Sequence, residues 1–239
     1  MSDPLPITFH VDQEHGGLQI TVLFILFATF LAAFFVLNAA LPLAFPQFDS
    51  VFVLSCLGAL PLSLLVTGAS ERVLKKRWRS GRRLIVHKDV MRLERPQQVT
   101  SVVDREASVN GLWWYFPLEG YQRGGRERRV PNGWFCMAAQ FQTDEARIVA
   151  YCYTPPARQQ EWTERFDFRR LNPSDVYDTS IGARLSAPQR PEIAPEIIAG
   201  ENGRYWLAER NRWREGVELT PDDFERLLLI VRTDNQVAF

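Results

Sequence analysis

The sequence predicts a membrane-anchored α+β protein. A two-helix transmembrane hairpin is followed by an antiparallel β-sheet or barrel capped by a helix, then by a small C-terminal hairpin–helix. Three observations predict it. Two long apolar runs without charge lie near the N-terminus. A period-two pattern rich in β-branched and aromatic residues fills residues 82–154. A helix start, Thr220-Pro221-Asp222-Asp223, opens an apolar stripe near the C-terminus. The expected organisation is a cytoplasmic tail over 1–17, the hairpin over 18–70, a β-rich domain over 71–171, a proline-bearing linker over 172–200 and the C-terminal module over 201–239.

The hairpin comes first. Gly16–Phe48 is a run of 33 residues with no charged side chain. Asp49 alone separates it from a second apolar run, Ser50–Ser70. A bilayer-spanning helix needs about 20 apolar residues, so two spans fit. Buried core helices of that length without charge are rare. A cleaved signal peptide does not fit, because the tail lacks a basic region and the apolar run is too long. Neither span carries an ionisable side chain, which argues against a solute or proton path through this hairpin alone.

Averages hide this layout. The chain has 239 residues, 28 basic and 28 acidic, so its formal net charge is zero. Residues 1–70 nevertheless hold no Lys or Arg. The bases start just past the second run with Arg72, Lys75, Lys76, Arg77, Arg79, Arg82, Arg83 and Lys88. Of these, Lys75, Lys76, Arg77, Arg79, Arg82 and Arg83 form a juxtamembrane basic collar. The positive-inside rule then puts residues 71–239 in the cytoplasm, and two spans return the N-terminus there. Small residues let helices approach closely in lipid. Ser55, Ala59 and Ser63 form such a face on the second helix, and Ala28 and Ala32 are the expected counterpart on the first. Pro61 should kink the second helix.

The cytoplasmic elements follow in order. In the tail, Ile7, Phe9 and Val11 alternate with polar residues, which predicts a strand able to join the edge of the main sheet. Arg82–His87 and Val90–Arg95 read as strands joined by a tight turn at Lys88-Asp89. Gln98–Asp104 and Asn110–Phe116 are further strands. Trp134–Thr143 and Ala146–Thr154 form a hairpin across Asp144-Glu145. Thr154-Pro155-Pro156 starts a helix expected to reach about Leu171. Residues 172–200 carry Pro173, Pro188, Pro191 and Pro195; such a connection either wraps a surface or separates two modules. Gly203–Glu209 and Arg212–Leu219 read as a hairpin around Arg210-Asn211. The final helix presents Phe224, Leu227, Leu228 and Val231 at i, i+3, i+4, i+7. That stripe either packs on the chain's own sheet or forms a docking face for a partner.

A transmembrane hairpin, a basic juxtamembrane helix, the strand pair GRRLIVHKDVMRLE, further strands and a closing helix occur in this order. Over roughly residues 18–171 the chain therefore resembles the bacterial pleckstrin-homology-like (PH-like) membrane proteins. The resemblance rests on element order and the opening strand–turn–strand. It implies a bent antiparallel sheet sealed by a helix, and interaction at a membrane rather than catalysis. It carries over no functional residue, and the loop Gly120–Gly133 departs from it.

Residues suited to chemistry are sparse. His87 sits beside a turn on a predicted strand. Cys136 and Cys152 stand singly on neighbouring strands, without CxxC spacing, and read as core residues. His10, Asp12, Glu14 and His15 are the only ligand-like cluster, and they read better as the polar end of a strand than as a metal site. No Walker A, GxGxxG or haem motif is present, so no cofactor is expected. Arg123, Arg126, Arg128 and Arg129 cluster in the 120–133 loop with only Glu127 opposing them. They suit anionic lipid headgroups or an acidic partner, or simply a solvated loop. Nucleic acid is disfavoured, since Trp113, Trp114 and Tyr115 at strand spacing suit a core better than base stacking.

The leading expectation is a non-enzymatic accessory or scaffold subunit of a bacterial inner-membrane assembly. Its partners would be membrane lipids and other membrane-protein subunits, and a homo-oligomer is compatible with it. Respiratory and photosynthetic complexes are candidate parents; no residue selects one. Two alternatives stay open. One is a lipid-sensing or envelope-stress module using the arginine loop. The other is an enzyme with a site of carboxylates and arginines, which leaves no spacing rule in sequence.

Overall fold

The structure is a computed structural model, and it describes residues 6–13, 16–44, 50–96, 98–104, 110–119, 127, 129–178, 180–185, 190 and 192–237. The chain is α+β and divides into two compact units: Gln13–Ser80, and Met1–Asp12 together with Gly81–Phe239.

The first unit is a helical hairpin of α1 (Gly16–Ala44) and α2 (Val51–Arg77). Both helices are long and apolar enough to cross a membrane. At 1.5 Å per residue they measure about 43 and about 40 Å. Helix α2 runs through Pro61 without interruption. Ser55, Ala59 and Ser63 are buried, as their spacing predicts, and Thr67 extends the stripe. The hydroxyls of Ser55 and Ser63 donate to their own helix, at Val51 O and Leu60 O, both 2.8 Å away. The counterpart on α1 differs from expectation. Ala28 and Ala32 are exposed, and the buried residues are Leu18 and Ala33. Ala33, one position along from the predicted Ala32, is thus the small residue that α1 buries. A Cβ at Gly58 would lie 3.0 Å from Leu37 Cδ1, and Phe34 meets Phe52 edge-on at 5.4 Å.

The second unit holds two open sheets, not a closed barrel. Strands β1 (Ile7–His10), β2 (Arg83–Val86), β3 (Val90–Arg95) and β4 (Gln98–Asp104) form an antiparallel sheet in that order. The tail is thus a strand at the sheet edge, with Ile7 opposite Val86 and His10 opposite Arg83. The second sheet contains β5 (Asn110–Pro117), β6 (Phe135–Gln142), β7 (Arg147–Thr154), β8 (Arg169–Arg170) and β9 (Val217–Glu218), in the order β8-β5-β6-β7-β9. Its β5–β6–β7 part is antiparallel; β8 and β9 pair in parallel.

One core fills the space between the sheets. Ile7, Phe9, Leu84, Val86 and Met91 meet Met137, Phe141, Ile148 and Cys152 there. Helix α3 (Pro156–Arg165) closes it through Trp162. It stops short of Leu171, because the chain turns at Phe166 to place β8 beside β5. Helix α7 (Pro221–Val237) closes the same core with Phe224, Leu227 and Leu228, all fully buried, and with half-buried Val231. The stripe read as a docking face is therefore covered by the chain itself.

A second core lies on the other face of the five-stranded sheet. It joins Leu112, Trp114, Phe116, Cys136 and Tyr151 to Leu171, Ile193 and Trp206. With both faces covered, β6 and β7 are buried almost throughout, and so they read as near-continuous apolar runs. The covering layer decides between the two readings of one segment and corrects a second expectation. The segment read as a linker contains a 3-10 turn at Pro173–Asp175, α4 (Ile181–Leu185) and α5 (Pro195–Ala199), and it covers this face with Val176, Tyr177, Ile193, Ile197 and Ile198. The expected hairpin at 203–219 is instead α6 (Gly203–Glu215) followed by the two-residue β9. Two of the residues α6 buries are Glu209 and Arg212, so its inward face carries charge and the apolar helical period is masked.

Candidate functional site

Strands β1 and β2 are antiparallel neighbours, yet the hairpin lies between them in the chain. Their shared end is tied by Asp12. This residue takes a left-handed backbone, φ 54°, which Asp tolerates better than most residues. Its side chain is 2% exposed and pairs with the Arg82 guanidinium. Its backbone N–H donates to Glu218 O at 2.9 Å, and its Oδ1 accepts from the Glu218 N–H at 3.1 Å. Asp12 thus ties the end of β1, the start of β2 and β9. Gly81 opens this stretch at φ 79°, where a Cβ would come 2.7 Å from Pro96 Cγ, so glycine is required.

Arg82 also borders a groove of about 510 Å³ between the two sheets. Arg95 and Thr100 line one wall, and the β6–β7 turn with Asp144 and Glu145 lines the other, where Arg147 follows. The walls meet where Ser101 Oγ donates to Arg147 O at 2.8 Å. Arg147 also pairs with Glu215. Arg95, Arg147 and Arg82, from β3, β7 and the start of β2, therefore line one polar groove together with Asp144, Glu145 and Glu215, and Arg82 and Arg147 are engaged with Asp12 and Glu215. Such a groove can hold a small anionic or dipolar group.

A second ionic cluster is buried under α6. Arg212 Nη2 lies 2.7 Å from Glu209 Oε1 and 2.9 Å from Glu127 Oε1. Trp114 Nε1 donates to Glu209 Oε2 at 2.8 Å. The guanidinium also lies over the Tyr151 ring at 4.8 Å and the Phe116 ring at 5.6 Å. Burial alone would lower the Arg212 pKa; the acidic groups around it, Cys136, Glu209 and Glu127, reverse the sign and raise it. Burial pushes up the thiols of Cys136 and Cys152 and the phenols of Tyr153 and Tyr177. Both cysteines are free and fully buried, on opposite faces of the sheet.

The sequence-predicted residues scatter. Arg123, Arg126 and Arg128 lie outside the described residues, and Arg129 is exposed. Glu127, the one acid expected to oppose them, turns inward to Arg212. In the collar, Lys75 pairs with Glu71 at 3.1 Å, Arg77, Arg79 and Arg83 are exposed, and Arg82 reaches Asp12; the Lys76 side chain lies outside the described residues. The His87 N–H donates to Val90 O across its turn, at 2.8 Å. Of the tail cluster, Asp12 is engaged with Arg82 and Glu218, while Glu14 and His15 lie outside the described residues. Trp114 is core, and Trp113 packs on Phe166 and Phe168, both at 6.1 Å. Sequence reasoning missed the Asp12–Glu218 tie and the Glu209–Arg212 pair. The i, i+3 spacing of opposite charges between Trp206 and Trp213 was the available signal for the latter.

Comparison with protein-family models, with curated proteins and with solved structures finds no match.

Proposed function

We propose that this chain is a non-enzymatic accessory or scaffold subunit of a bacterial inner-membrane assembly, anchored by α1 and α2. The sheet unit makes its protein–protein contacts. One observation carries the reading: only 6% of the apolar window of α1 and 22% of that of α2 is buried. Phe24, Phe35, Leu57 and Leu65 are each more than 60% exposed, on both helices. Side chains of that kind need lipid or partner helices around them.

The pairing of β1 with β2 supports placing both termini on one side of the membrane, and the Lys/Arg bias supports the cytoplasm. The PH-like resemblance also enters the reading. Four antiparallel strands, three more and a helix follow in order.

Purification of the full chain from its native membrane in mild detergent, with mass spectrometry of co-eluting proteins, tests the reading. A stoichiometric membrane-protein partner is expected; a clean monomer overturns the subunit role.

A second reading, contact with anionic headgroups, is supported by Arg82, Arg95 and Arg147 lining one groove, with Asp144, Glu145 and Glu215 opposing them. Arg95→Gln in the full chain should then weaken recruitment of anionic lipid, read as the lipid that co-purifies in detergent. Unchanged lipid content sinks this reading.

A further inference from the structure

The groove between the two sheets carries charges of both signs, and the fold pairs off only some of them. Arg82 is held by Asp12, and Arg147 by Glu215. Among the described residues, Arg95 on one wall and Asp144 and Glu145 on the other have no ion-pair partner, although all three border the same groove. Opposite charges thus face one groove without neutralising each other.

Two features hold them in place. Ser101 Oγ donates to Arg147 O at 2.8 Å, which braces β4 against the start of β7. The β6–β7 turn is closed on itself: the Thr143 N–H donates to Ala146 O at 2.9 Å, and the Ala146 N–H donates to Thr143 Oγ1 at 3.3 Å. Asp144 and Glu145 therefore project from a fixed turn. The opposite wall carries a bulge. Ser101 opposes Leu93 and Val99 opposes Glu94, so Thr100 drops out of the β3–β4 ladder. A bulge re-aims the side chain it carries, and Thr100 lines the groove.

The balance of charge selects the ligand. With Arg82 and Arg147 neutralised, one cation and two anions remain. A simple anion drawn to Arg95 meets two uncompensated carboxylates. A simple cation drawn to those carboxylates meets Arg95. A molecule carrying both charges satisfies both walls at once. The groove volume of about 510 Å³ falls among ordinary small-molecule sites.

We propose that the groove binds a small dipolar molecule, with its phosphate or carboxylate on Arg95 and its ammonium on Asp144 and Glu145. This rests on the reading of the groove as a ligand site, and it narrows the ligand from an anion to a zwitterion. A free zwitterion and a zwitterionic lipid headgroup share this chemistry.

The test is titration of the full chain in the non-ionic detergent dodecyl maltoside, followed at the backbone amide resonances of Thr100, Ser101, Asp144 and Glu145. The dipolar probes are phosphoethanolamine, γ-aminobutyrate and dihexanoyl-phosphatidylethanolamine. Glycerol phosphate, butyrate and ethanolamine carry one sign of charge each. At least one dipolar probe should bind several-fold tighter than its single-charge counterparts. Arg95→Gln should reduce that probe to the affinity of ethanolamine, and Asp144→Asn combined with Glu145→Gln should reduce it to that of the matching anion. All three side chains are exposed, so these changes leave the core untouched. Tighter binding of the lipid than of free phosphoethanolamine assigns a headgroup, and the reverse order assigns a free molecule; both support the dipolar site. A dipolar probe that binds no tighter than its matching anion, with Arg95→Gln weakening both, overturns this proposal and leaves the anionic reading standing. Absence of any shift with every probe overturns the two together. A dipolar preference that survives both variants overturns the roles given to these residues.

Discussion

The Arg82 guanidinium donates to the Asp12 carboxylate across 70 residues of chain, and those residues are the apolar hairpin. The pair closes a loop that is otherwise an entire helical unit. Strand β1 can complete its sheet only after both helices have been made, because its partner β2 follows them. Folding of the sheet unit therefore depends on a segment at the far end of the hairpin.

Replacing Asp12 should destabilise the sheet unit in a defined order. Alanine removes the ion pair and leaves the Glu218 N–H without its acceptor, a loss of about 2–3 kcal/mol. It also places a residue less tolerant of φ 54° there. Asparagine keeps an acceptor and tolerates the backbone, so about 1 kcal/mol is expected. Thermal unfolding of the detergent-solubilised chain should rank wild type above Asp12→Asn above Asp12→Ala. Equal midpoints would show that the clasp is not formed.

Deleting residues 2–12 should be more costly. Ile7, Phe9 and Val11 are each at most 6% exposed, and their loss uncovers Leu84 and Val86. Burying each such side chain is worth about 1.5–3 kcal/mol, so the deletion approaches the whole stability of an ordinary domain. Residues 81–239 alone should aggregate or expose apolar surface to a hydrophobic dye. Adding a peptide of residues 6–13 should reduce the dye signal, because it restores the missing edge strand. An unchanged melting temperature after the deletion would remove β1 from the core.

The elements most legible in sequence were those with one buried face. Strands β3 and β4 match their expected bounds, because Met91, Leu93 and Val103 turn inward while their neighbours stay in solvent. The stripe Ser55, Ala59 and Ser63 was legible because small residues at spacing four have few other uses in an apolar helix. Its partner on α1 was not, because almost every residue there is apolar and periodicity cannot single out a face. Helix α6 was lost to its buried charges. Asp12 was illegible for a different reason: its partners Arg82 and Glu218 are far away in the chain. Local pattern carries no signal for such contacts.

The buried cluster should respond unequally to the removal of its members. Arg212→Met leaves Glu209 and Glu127 buried without a counter-charge, an expected loss of about 3–5 kcal/mol. Glu127→Gln keeps a hydrogen-bond acceptor for Arg212 and should cost about 1 kcal/mol. Urea unfolding of the two variants and of the double variant measures the coupling. Additive losses would show that Arg212 and Glu127 do not share one interaction.

Alkaline pH should unfold the sheet unit. Burial raises the folded pKa of Cys136, Cys152, Tyr153 and Tyr177 above their ordinary values. Below about pH 7.5 both states hold these protons and stability does not change on their account. Above about pH 8 the unfolded chain releases its cysteine protons, and above about pH 9–10 its tyrosine protons, while the folded chain retains both. Stability then falls with rising pH, by up to about 1.4 kcal/mol per unit for each group. Tyrosine ionisation followed by ultraviolet absorbance should show a late, cooperative phase that coincides with loss of near-ultraviolet circular dichroism. Tyr153→Phe should move that phase to higher pH. Gradual ionisation while the fold persists would place these phenols in solvent.

The hairpin interface can be tested by where it tolerates bulk. Ala59 is fully buried against α1, so Ala59→Leu should force the helices apart, at about 1–3 kcal/mol. Ala28 and Ala32 are exposed on the opposite helix, so Ala28→Leu and Ala32→Leu should be close to neutral. Gly58→Ala should fall between, since its Cβ would meet only the flexible end of Leu37 at 3.0 Å. The readout is disulfide cross-linking between single cysteines at Phe34 and Phe52, whose rings touch, in a chain with Cys56, Cys136 and Cys152 replaced. Cross-linking should fall in Ala59→Leu and hold in the α1 variants. The reverse order would mean that the helices pack through the alanine face of α1 instead.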